Sequence, residues 1–262
     1  MSNKQTALIT GASTGIGAVY ADRLARRGHN LVLVARNEGK LSALATELHA
    51  KYGVQVDVIG ADLADAAQLA QVERRLAEDA AITMLVNNAG LGATASLIDS
   101  SNEQLDAMID LNVKALTRLT RAVAPRFAGA GSGTIINIAS IVAIAPEVLN
   151  GVYGGSKAFV LAMTQSLQHE LGSKGVRVQA VLPGAIETPF WDKAGVAVEH
   201  LPSQIVMKVD DLVDAALSGL DQGEVVTIPS LPDAGEWERF NAARLAMGPN
   251  LSRNVPADRY RV

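Results

Sequence analysis

The sequence predicts an α/β fold, a single doubly wound parallel sheet with helices on both faces. Three observations carry this reading. Apolar runs of strand length alternate with longer helical patterns along the chain, the strands are apolar on both faces, and a glycine-rich turn leads from the first strand directly into a helix. Strands without a polar face belong in a sheet covered on both sides. Ligands of such sheets sit in the crevice at the carboxyl ends of the strands.

The elements follow in order. Residues 7–10 form the first strand, then come the glycine turn and a helix ending at about residue 27. Residues 31–35 are the second strand and 38–52 an amphipathic helix. The third strand spans 54–60 and its helix 66–79, and 84–87 is the fourth strand. A long helical pattern covers 103–127, for which Ser101 with Gln104 three residues on supplies a capping box. The fifth strand is 134–138, a helix covers 153–171, and the sixth strand is 176–182. A helix around 211–220 and a strand at 225–228 close the series, before an amphipathic helix at about 234–247 and an arginine-containing tail. No linker, repeat or low-complexity tract divides 1–262, so one domain is expected, with 233–262 as its C-terminal helix and tail. Residues 186–203 are irregular and apolar and include Trp191; they read as a lid or as a surface loop.

Composition narrows the function classes. A chain of 262 residues, 48% of them hydrophobic, can fill a substantial core. The net charge of −4 offers no ground for binding nucleic acid or an anionic membrane, so any anion has to be held by a local set of donors. The chain has no cysteine, which rules out disulfides and thiolate chemistry, and no metal site is expected. The first residues lack the apolar core of a signal peptide and no later run reaches membrane-spanning length, so a cytoplasmic protein is expected.

The turn Thr10-Gly11-Ala12-Ser13-Thr14-Gly15-Ile16-Gly17 stands between the first strand and its helix. Small residues let the backbone approach a pyrophosphate, and a helix N-terminus offers free N–H groups and a favourable dipole. The spacing Gly-x-x-x-Gly-x-Gly differs from the Gly-x-Gly-x-x-Gly fingerprint, and a tight strand–helix turn without a ligand also explains the glycines. The same stretch contains Gly-x-Ser-x-Gly around Ser13, the pattern of a hydrolase nucleophile elbow. A serine hydrolase would need a histidine from His29, His49, His169 or His200, the first three of which lie in or beside helical patterns.

The second strand ends Val34-Ala35-Arg36-Asn37. A site for NAD places a carboxylate at that tip, accepting from the ribose hydroxyls. Here a guanidinium stands there instead, suited to a 2′-phosphate by bidentate, charge-assisted bonds worth roughly 1.5–3 kcal/mol. NADP is therefore the expected cofactor, against the alternative of a solvated arginine. Asp62, followed by Leu63, is placed to accept from an adenine amino group or to cap a helix. Asn87-Asn88-Ala89-Gly90 ends the fourth strand where a backbone lies against a ribose or simply turns.

Tyr153 and Lys157 are four residues apart, on one helical face. A nearby ammonium favours the phenolate and lowers a tyrosine pKa from about 10, so that the hydroxyl exchanges a proton with a substrate oxygen near neutral pH. Ser140, after the fifth strand, is placed to hold that oxygen by a hydrogen bond. Asn112 is an amide within a long helix, where asparagine is a poor fit; it is expected to bind water or a backbone carbonyl.

Taken together, Thr10-Gly11-x-x-x-Gly15-Ile16-Gly17, Asn87-Asn88-Ala89-Gly90, Asn112, Ser140, Tyr153-x-x-Ser156-Lys157 and Pro183-Gly184 resemble a short-chain dehydrogenase/reductase of the single-domain, Rossmann-like type, over roughly residues 5–190. The resemblance implies a tetrad. Tyr153 is the general acid/base, Lys157 lowers its pKa and binds the nicotinamide ribose, Ser140 orients the substrate oxygen, and Asn112 keeps a water in a proton relay through Lys157. It also implies that Pro183, Gly184, Ile186 and Thr188 flank the nicotinamide carboxamide and that Ser13 shares the 2′-phosphate with Arg36. A homodimer or homotetramer through the helices at 103–127 and 153–171 is implied as well.

The match fades after Thr188. The last strand reads Val225-Val226-Thr227-Ile228-Pro229, without the glycine-rich end of many members, which puts the usual C-terminal packing in doubt. Trp237 either covers a substrate pocket or packs in the core. The expected activity is hydride transfer between NADP and a small-molecule carbonyl or secondary alcohol. Leu91, Ile141, Val142, Pro146, Val148 and Leu149 suggest an apolar pocket for a bulky or lipophilic carbonyl compound. The rival is a non-catalytic NADP-binding sensor, which is expected to lose the reacting residues; Asn112, Ser140, Tyr153 and Lys157 are all present.

Overall fold

The computed structural model describes residues 5–188, 190 and 200–260. Its strands are β1 (Thr6–Thr10), β2 (Asn30–Ala35), β3 (Val56–Gly60), β4 (Ile82–Asn87), β5 (Gly133–Ile138), β6 (Val176–Val181), β7 (Ala185–Ile186), β8 (Val206–Met207) and β9 (Val226–Thr227). Seven of them form one sheet in the order β3-β2-β1-β4-β5-β6-β9, every neighbour parallel. The order reverses between β1 and β4, which opens the crevice at their carboxyl ends. β7 and β8 pair only with each other.

The helices are α1 (Gly15–Arg26), α2 (Glu38–Tyr52), α3 (Ala66–Glu78), α4 (Asn102–Ile109), α5 (Leu116–Ala130), α6 (Gly151–Leu171), α7 (Val209–Asp221) and α8 (Ala234–Ala246). Successive strand residues point to opposite faces, and both faces are apolar. Ala7, Ile9, Leu31 and Leu33 pack with Tyr20 and Leu24 of α1, Leu41 and Leu48 of α2, and Leu212 and Leu217 of α7. Leu8, Val32 and Val34 face the other way, onto Leu69, Val72 and Leu76 of α3, Leu119, Val123 and Phe127 of α5, and Leu167 and Leu171 of α6. Each such side chain contributes roughly 1.5–3 kcal/mol by leaving water. The doubly wound sheet expected from the sequence is the fold found.

Three expectations change. The long helix at 103–127 is not regular: Asp110–Ala115 forms a π-turn between α4 and α5. Asn112, inside that segment, donates to the Leu91 backbone carbonyl, as expected of it, and accepts from the Leu91 N–H. π-Turns widen a helix where a side chain has a task off the regular ladder. The last strand is shorter than 225–228, because only Val226 and Thr227 pair with β6. Helix α8 buries none of its residues, so the pattern read as amphipathic hides no face; Trp237 pairs with Phe240 along it, ring centres 5.5 Å apart. The Ser101–Gln104 capping box forms as expected and starts α4.

The chain divides into two compact units, Met1–Pro229 and Ser230–Val262. Of the segment 186–203, residues 189 and 191–199 fall outside the described residues, and with them the question of a lid. No described helix is long and apolar enough to cross a membrane.

Candidate active site

The glycine turn sits at the carboxyl end of β1, folded against the end of β4. Thr10 organises the junction. Its hydroxyl donates to the Val86 carbonyl (3.3 Å) and accepts from the Asn88 and Ala89 N–H groups, both at 3.0 Å. The Asn88 amide donates back to the Thr10 and Gly11 carbonyls, at 2.9 and 3.1 Å. Gly11 has a φ of +65°, and a Cβ there would stand 2.8 Å from the Asn88 Nδ2. At Gly17 a Cβ would stand 2.4 Å from the Gly11 carbonyl oxygen. Close packing of the turn therefore accounts for Gly11 and Gly17, as the ligand-free explanation holds. Gly15 differs: it brings the turn to Thr188, whose Cγ2 lies 3.3 Å from where a Cβ would be.

A phosphate fits what remains. Helix α1 starts behind Thr14, whose side chain makes no cap, and carries no acidic residue in its first turn. Its leading N–H groups thus lack side-chain acceptors, the condition for holding an anion. Ser13, Thr14, Gly15 and Ile16 are all half-buried at this mouth. Arg36 lies exposed beyond the end of β2, with no hydrogen-bond or ion-pair partner among the described residues. Glu38, which the sequence reading passed over, reaches across the end of β3; a Cβ on Gly60 would lie 2.9 Å from its Oε2. Asp62 turns its carboxylate onto the Ala64 N–H (3.0 Å), while the cap of α3 is Asp65. Leu63 is buried in the core behind it.

Ser13 stands away from three of the four histidines a hydrolase could use. It follows the carboxyl end of β1, whereas His29, His49 and His169 lie where α1, α2 and α6 lead into the amino ends of β2, β3 and β6. Parallel strands put those histidines at the opposite edge of the sheet.

The second half of the crevice gathers Asn112, Ser140, Tyr153 and Lys157. All four are buried, Asn112 to 1% exposure and Lys157 to 6%. Ser140 follows β5 in extended conformation; its hydroxyl donates to the Pro183 carbonyl (3.4 Å), accepts from the Val142 N–H (3.4 Å) and lowers the pKa of the Tyr153 phenol beside it. The same carbonyl accepts from the Ile141 N–H at 3.0 Å, which closes the ends of β5 and β6 together. Gly184 is half-buried next to it, Ile186 is buried, and the Thr188 hydroxyl turns back onto the Ile186 carbonyl. The Lys157 Nζ donates to the Ile138 carbonyl (2.9 Å) and stands 5.9 Å from the centre of the Tyr153 ring. Gly90 lies against both partners: a Cβ there would be 3.2 Å from the Asn112 Oδ1 and 3.4 Å from the Lys157 Nζ.

Electrostatics depart from the expectation that Lys157 lowers the phenol. Burial pushes the Tyr153 hydroxyl up to about 12, with the Ser140 hydrogen bond pulling the other way. Burial also pulls Lys157 down to about 8. The reason is desolvation, which penalises the charged form of each group. At about 8, Lys157 is still mostly protonated at neutral pH.

Two positioning groups escaped the sequence reading. Asn150 caps α6, accepting from the Val152 and Tyr153 N–H groups, and its amide donates to the Ala95 carbonyl (2.7 Å) and the Ser100 hydroxyl (3.2 Å). Asparagine before a helix is a readable cap signal. Ser156 accepts from the Asn112 Nδ2 (3.0 Å) and donates to the Tyr153 carbonyl (2.8 Å), joining the π-turn to α6. Nothing in the local sequence marks that link.

A parallel doubly wound sheet with an uncapped glycine turn on one side of its crevice and a buried phenol–hydroxyl–amine group on the other defines an oxidoreductase of the nucleotide-binding α/β class. The family profile described as short chain dehydrogenase matches residues 5–198. A short-chain dehydrogenase from Sphingobium yanoikuyae, solved in complex with NADPH, is 50% identical, with a TM-score of 0.95 over 98% of this chain and 100% of that one. The bulky-bulky ketone specific alcohol dehydrogenase from Comamonas testosteroni is 47% identical, with a TM-score of 0.92 and full coverage of both chains. An uncharacterized oxidoreductase of Staphylococcus epidermidis is 32% identical over 86% of this chain and 94% of its own. The chain belongs to the short-chain dehydrogenase/reductase family and is an oxidoreductase.

Proposed function

We propose that this enzyme is an NADP-dependent reductase of ketones carrying bulky, lipophilic substituents. The observation that carries the reading is the buried pairing of the Tyr153 phenol with the Ser140 hydroxyl, which pulls the phenol's pKa downward against burial. Two neighbouring hydroxyls that can turn to a substrate suit a carbonyl oxygen that gains negative charge as it is reduced. A phenol held up to about 12 keeps its proton at neutral pH, which is the form that reduction uses. Tyr153 gives that proton to the substrate oxygen and Ser140 orients it. Lys157, titrating near 8 and anchored on Ile138, stands behind the ring and gains from the phenolate that the transfer leaves. Asn112 fixes the Leu91 backbone at the edge of the same space. A reduced nicotinamide, when bound, supplies the hydride.

The NADP preference rests on Arg36, the exposed cation beyond β2 that has no partner among the described residues, and draws support from the NADPH complex of the Sphingobium relative. Ser13, Thr14, Gly15, Ile16, Gly17 and Thr188 would hold the phosphates, Asp62, Leu63, Asn88, Ala89 and Gly90 the adenosine and ribose, and Pro183, Gly184 and Ile186 the nicotinamide. The substrate class rests on the apolar surroundings of Tyr153, namely Met108, Val142, Leu91 and Leu149, and on the specificity in the Comamonas relative's name. A homodimer or homotetramer through α4–α5 and α6, where Ile109 and Phe159 are exposed, completes the reading.

The test is loss of NADPH absorbance with a panel of ketones, run in parallel with NADH, on wild type and Arg36→Glu. NADPH-dependent turnover is expected, and Arg36→Glu should weaken NADPH about tenfold to a hundredfold while leaving NADH nearly untouched. Equal losses for both cofactors would remove the phosphate role of Arg36. Tight NADPH binding with no turnover on any ketone would make the protein a sensor.

A further inference from the structure

Phe190 stands over the reacting tyrosine. Its ring centre is 6.0 Å from that of Tyr153, tilted by 42°, and it packs against the cluster of Met108, Val142 and Tyr153, as Leu149 also does. The far end of the ring rests on Gly92. A Cβ built on Gly92 would lie 2.1 Å from the Phe190 Cζ, 2.8 Å from Cε2 and 3.1 Å from Cε1. Carbon atoms in contact stay about 3.5–4.0 Å apart, so the ring tip occupies the volume that a side chain at 92 would need. Backbone conformation does not ask for glycine here, because Gly92 is absent from the positive-φ glycines. What requires a hydrogen at this position is the aromatic ring alone.

We infer that Phe190, seated on Gly92, is the wall that decides which ketones reach Tyr153. The inference rests on the carbonyl-reductase reading of this site and adds its specificity determinant. A carbonyl carbon delivered to Tyr153 and Ser140 carries two substituents, and one of them must run along the surface that Phe190 shares with Leu91, Val142 and Leu149. The position of the ring therefore fixes the width left for that substituent. Because the obstacle at 92 is the tip of one side chain, Gly92→Ala shifts the ring without disturbing the backbone. The glycine thus acts through the phenylalanine, as a positioning residue.

The experiment compares wild type, Gly92→Ala, Phe190→Ala and the double variant on two substrates, a methyl ketone and a ketone with large groups on both sides. Gly92→Ala should change the ratio of kcat/KM between the two ketones by about tenfold or more, the scale of a one-carbon misfit in an apolar pocket. The change should fall on KM for the ketone, with KM for NADPH unmoved. In the Phe190→Ala background the same substitution should have no further effect on the ratio. Equal loss for both ketones, or effects that simply multiply in the double variant, would overturn the inference. The seat also has a readout free of catalysis: 4-fluorophenylalanine labels the four phenylalanines, and the 19F signal that Phe190→Leu removes should shift in Gly92→Ala. An unmoved signal overturns the seat even in an active enzyme. A shifted signal with no ketone turnover keeps the seat and instead sinks the carbonyl-reductase reading, along with the wall as a selector of ketones.

Discussion

Two buried polar clusters hang from the same central strands, and they behave in opposite ways. One is a knot of neutral groups. The Asn87 amide donates to the Thr120 hydroxyl (3.0 Å) and to the Asn137 Oδ1 (2.9 Å), and the Asn137 amide donates to the Thr164 hydroxyl (3.0 Å). The other is the group of Asn112, Ser140, Tyr153 and Lys157, two of them ionisable. Burial is equally deep in both. In the knot, hydrogen bonds answer it at every amide donor, leaving only the Asn87 Oδ1 without a partner among the described residues, and the outcome is fixed register of β4 and β5 against α5 and α6. In the site, burial instead drives two protonation equilibria apart, the phenol from 10.0 up to about 12 and the amine from 10.5 down to about 8. Burying neutral amides yields rigidity. Burying a phenol and an amine side by side yields a phenol that holds its proton and an ammonium that releases its own more readily.

The largest effect expected from this contrast is catalytic. Tyr153→Phe removes one hydroxyl from the site and should lower kcat by about a thousandfold, within the range for a lost general acid. Its fold and NADPH affinity should stay within a few-fold of wild type, by denaturation and by fluorescence titration. Substantial activity in this variant would dissolve the distinction between the clusters. Asn137→Leu is the mirror experiment. It strips the Asn87 amide and the Thr164 hydroxyl of a partner and should cost about 1–3 kcal/mol of stability, read by urea unfolding, with kcat per folded molecule little changed. A large fall in kcat at unchanged stability would mean that the knot is part of the chemistry.

The pH dependence of stability sharpens the contrast further. Lys157 has a lowered folded-state pKa, so between about 8 and its unfolded value near 10.5 the unfolded chain holds a proton that the folded chain has lost. Stability from this group therefore rises with pH across that window, by roughly 1–2 kcal/mol between pH 7.5 and 9.5. Tyr153 has the opposite sign, since its raised pKa makes stability fall as pH climbs from about 10 to 12. Urea midpoints should show the rise in wild type and lose it in Lys157→Met. A rise that persists in the variant would assign it elsewhere.

What could be read in advance follows the same division. Tyr153 and Lys157 were legible because a helix places residues four apart on one face. The sheet was legible because every strand needs apolar residues on both sides. Asn112 announced itself as an amide inside a helix, although its partner, the Leu91 backbone, and the π-turn around it did not, since a one-residue widening leaves the apolar periodicity nearly intact. Asn87 and Asn137 looked like turn and strand-end residues; their pairing is a fact of β4 lying beside β5. The Gly92–Phe190 seat and the Ser156 link likewise join distant stretches of chain, and no local rule reports such contacts. The role expected of Lys157 meets a further physical term: spacing reveals a neighbouring charge but not the desolvation that works against both groups.

Tyr20 provides the smallest effect and separates burial from function altogether. It is fully buried among Ile9, Leu33 and Leu212, and its hydroxyl has no partner among the described residues. Desolvation drives its pKa upward, as at Tyr153, so a raised phenol by itself marks no site. Tyr153 differs by having Ser140 and Lys157 around it. Tyr20→Phe removes an oxygen that gave up water and received nothing in exchange, and it leaves the shape of the core unchanged. Its stability should match or exceed wild type by up to about 1 kcal/mol, with kcat and both KM values unaltered. A loss of stability in that variant would reveal a partner for the hydroxyl, and Tyr20 would then belong with the neutral knot.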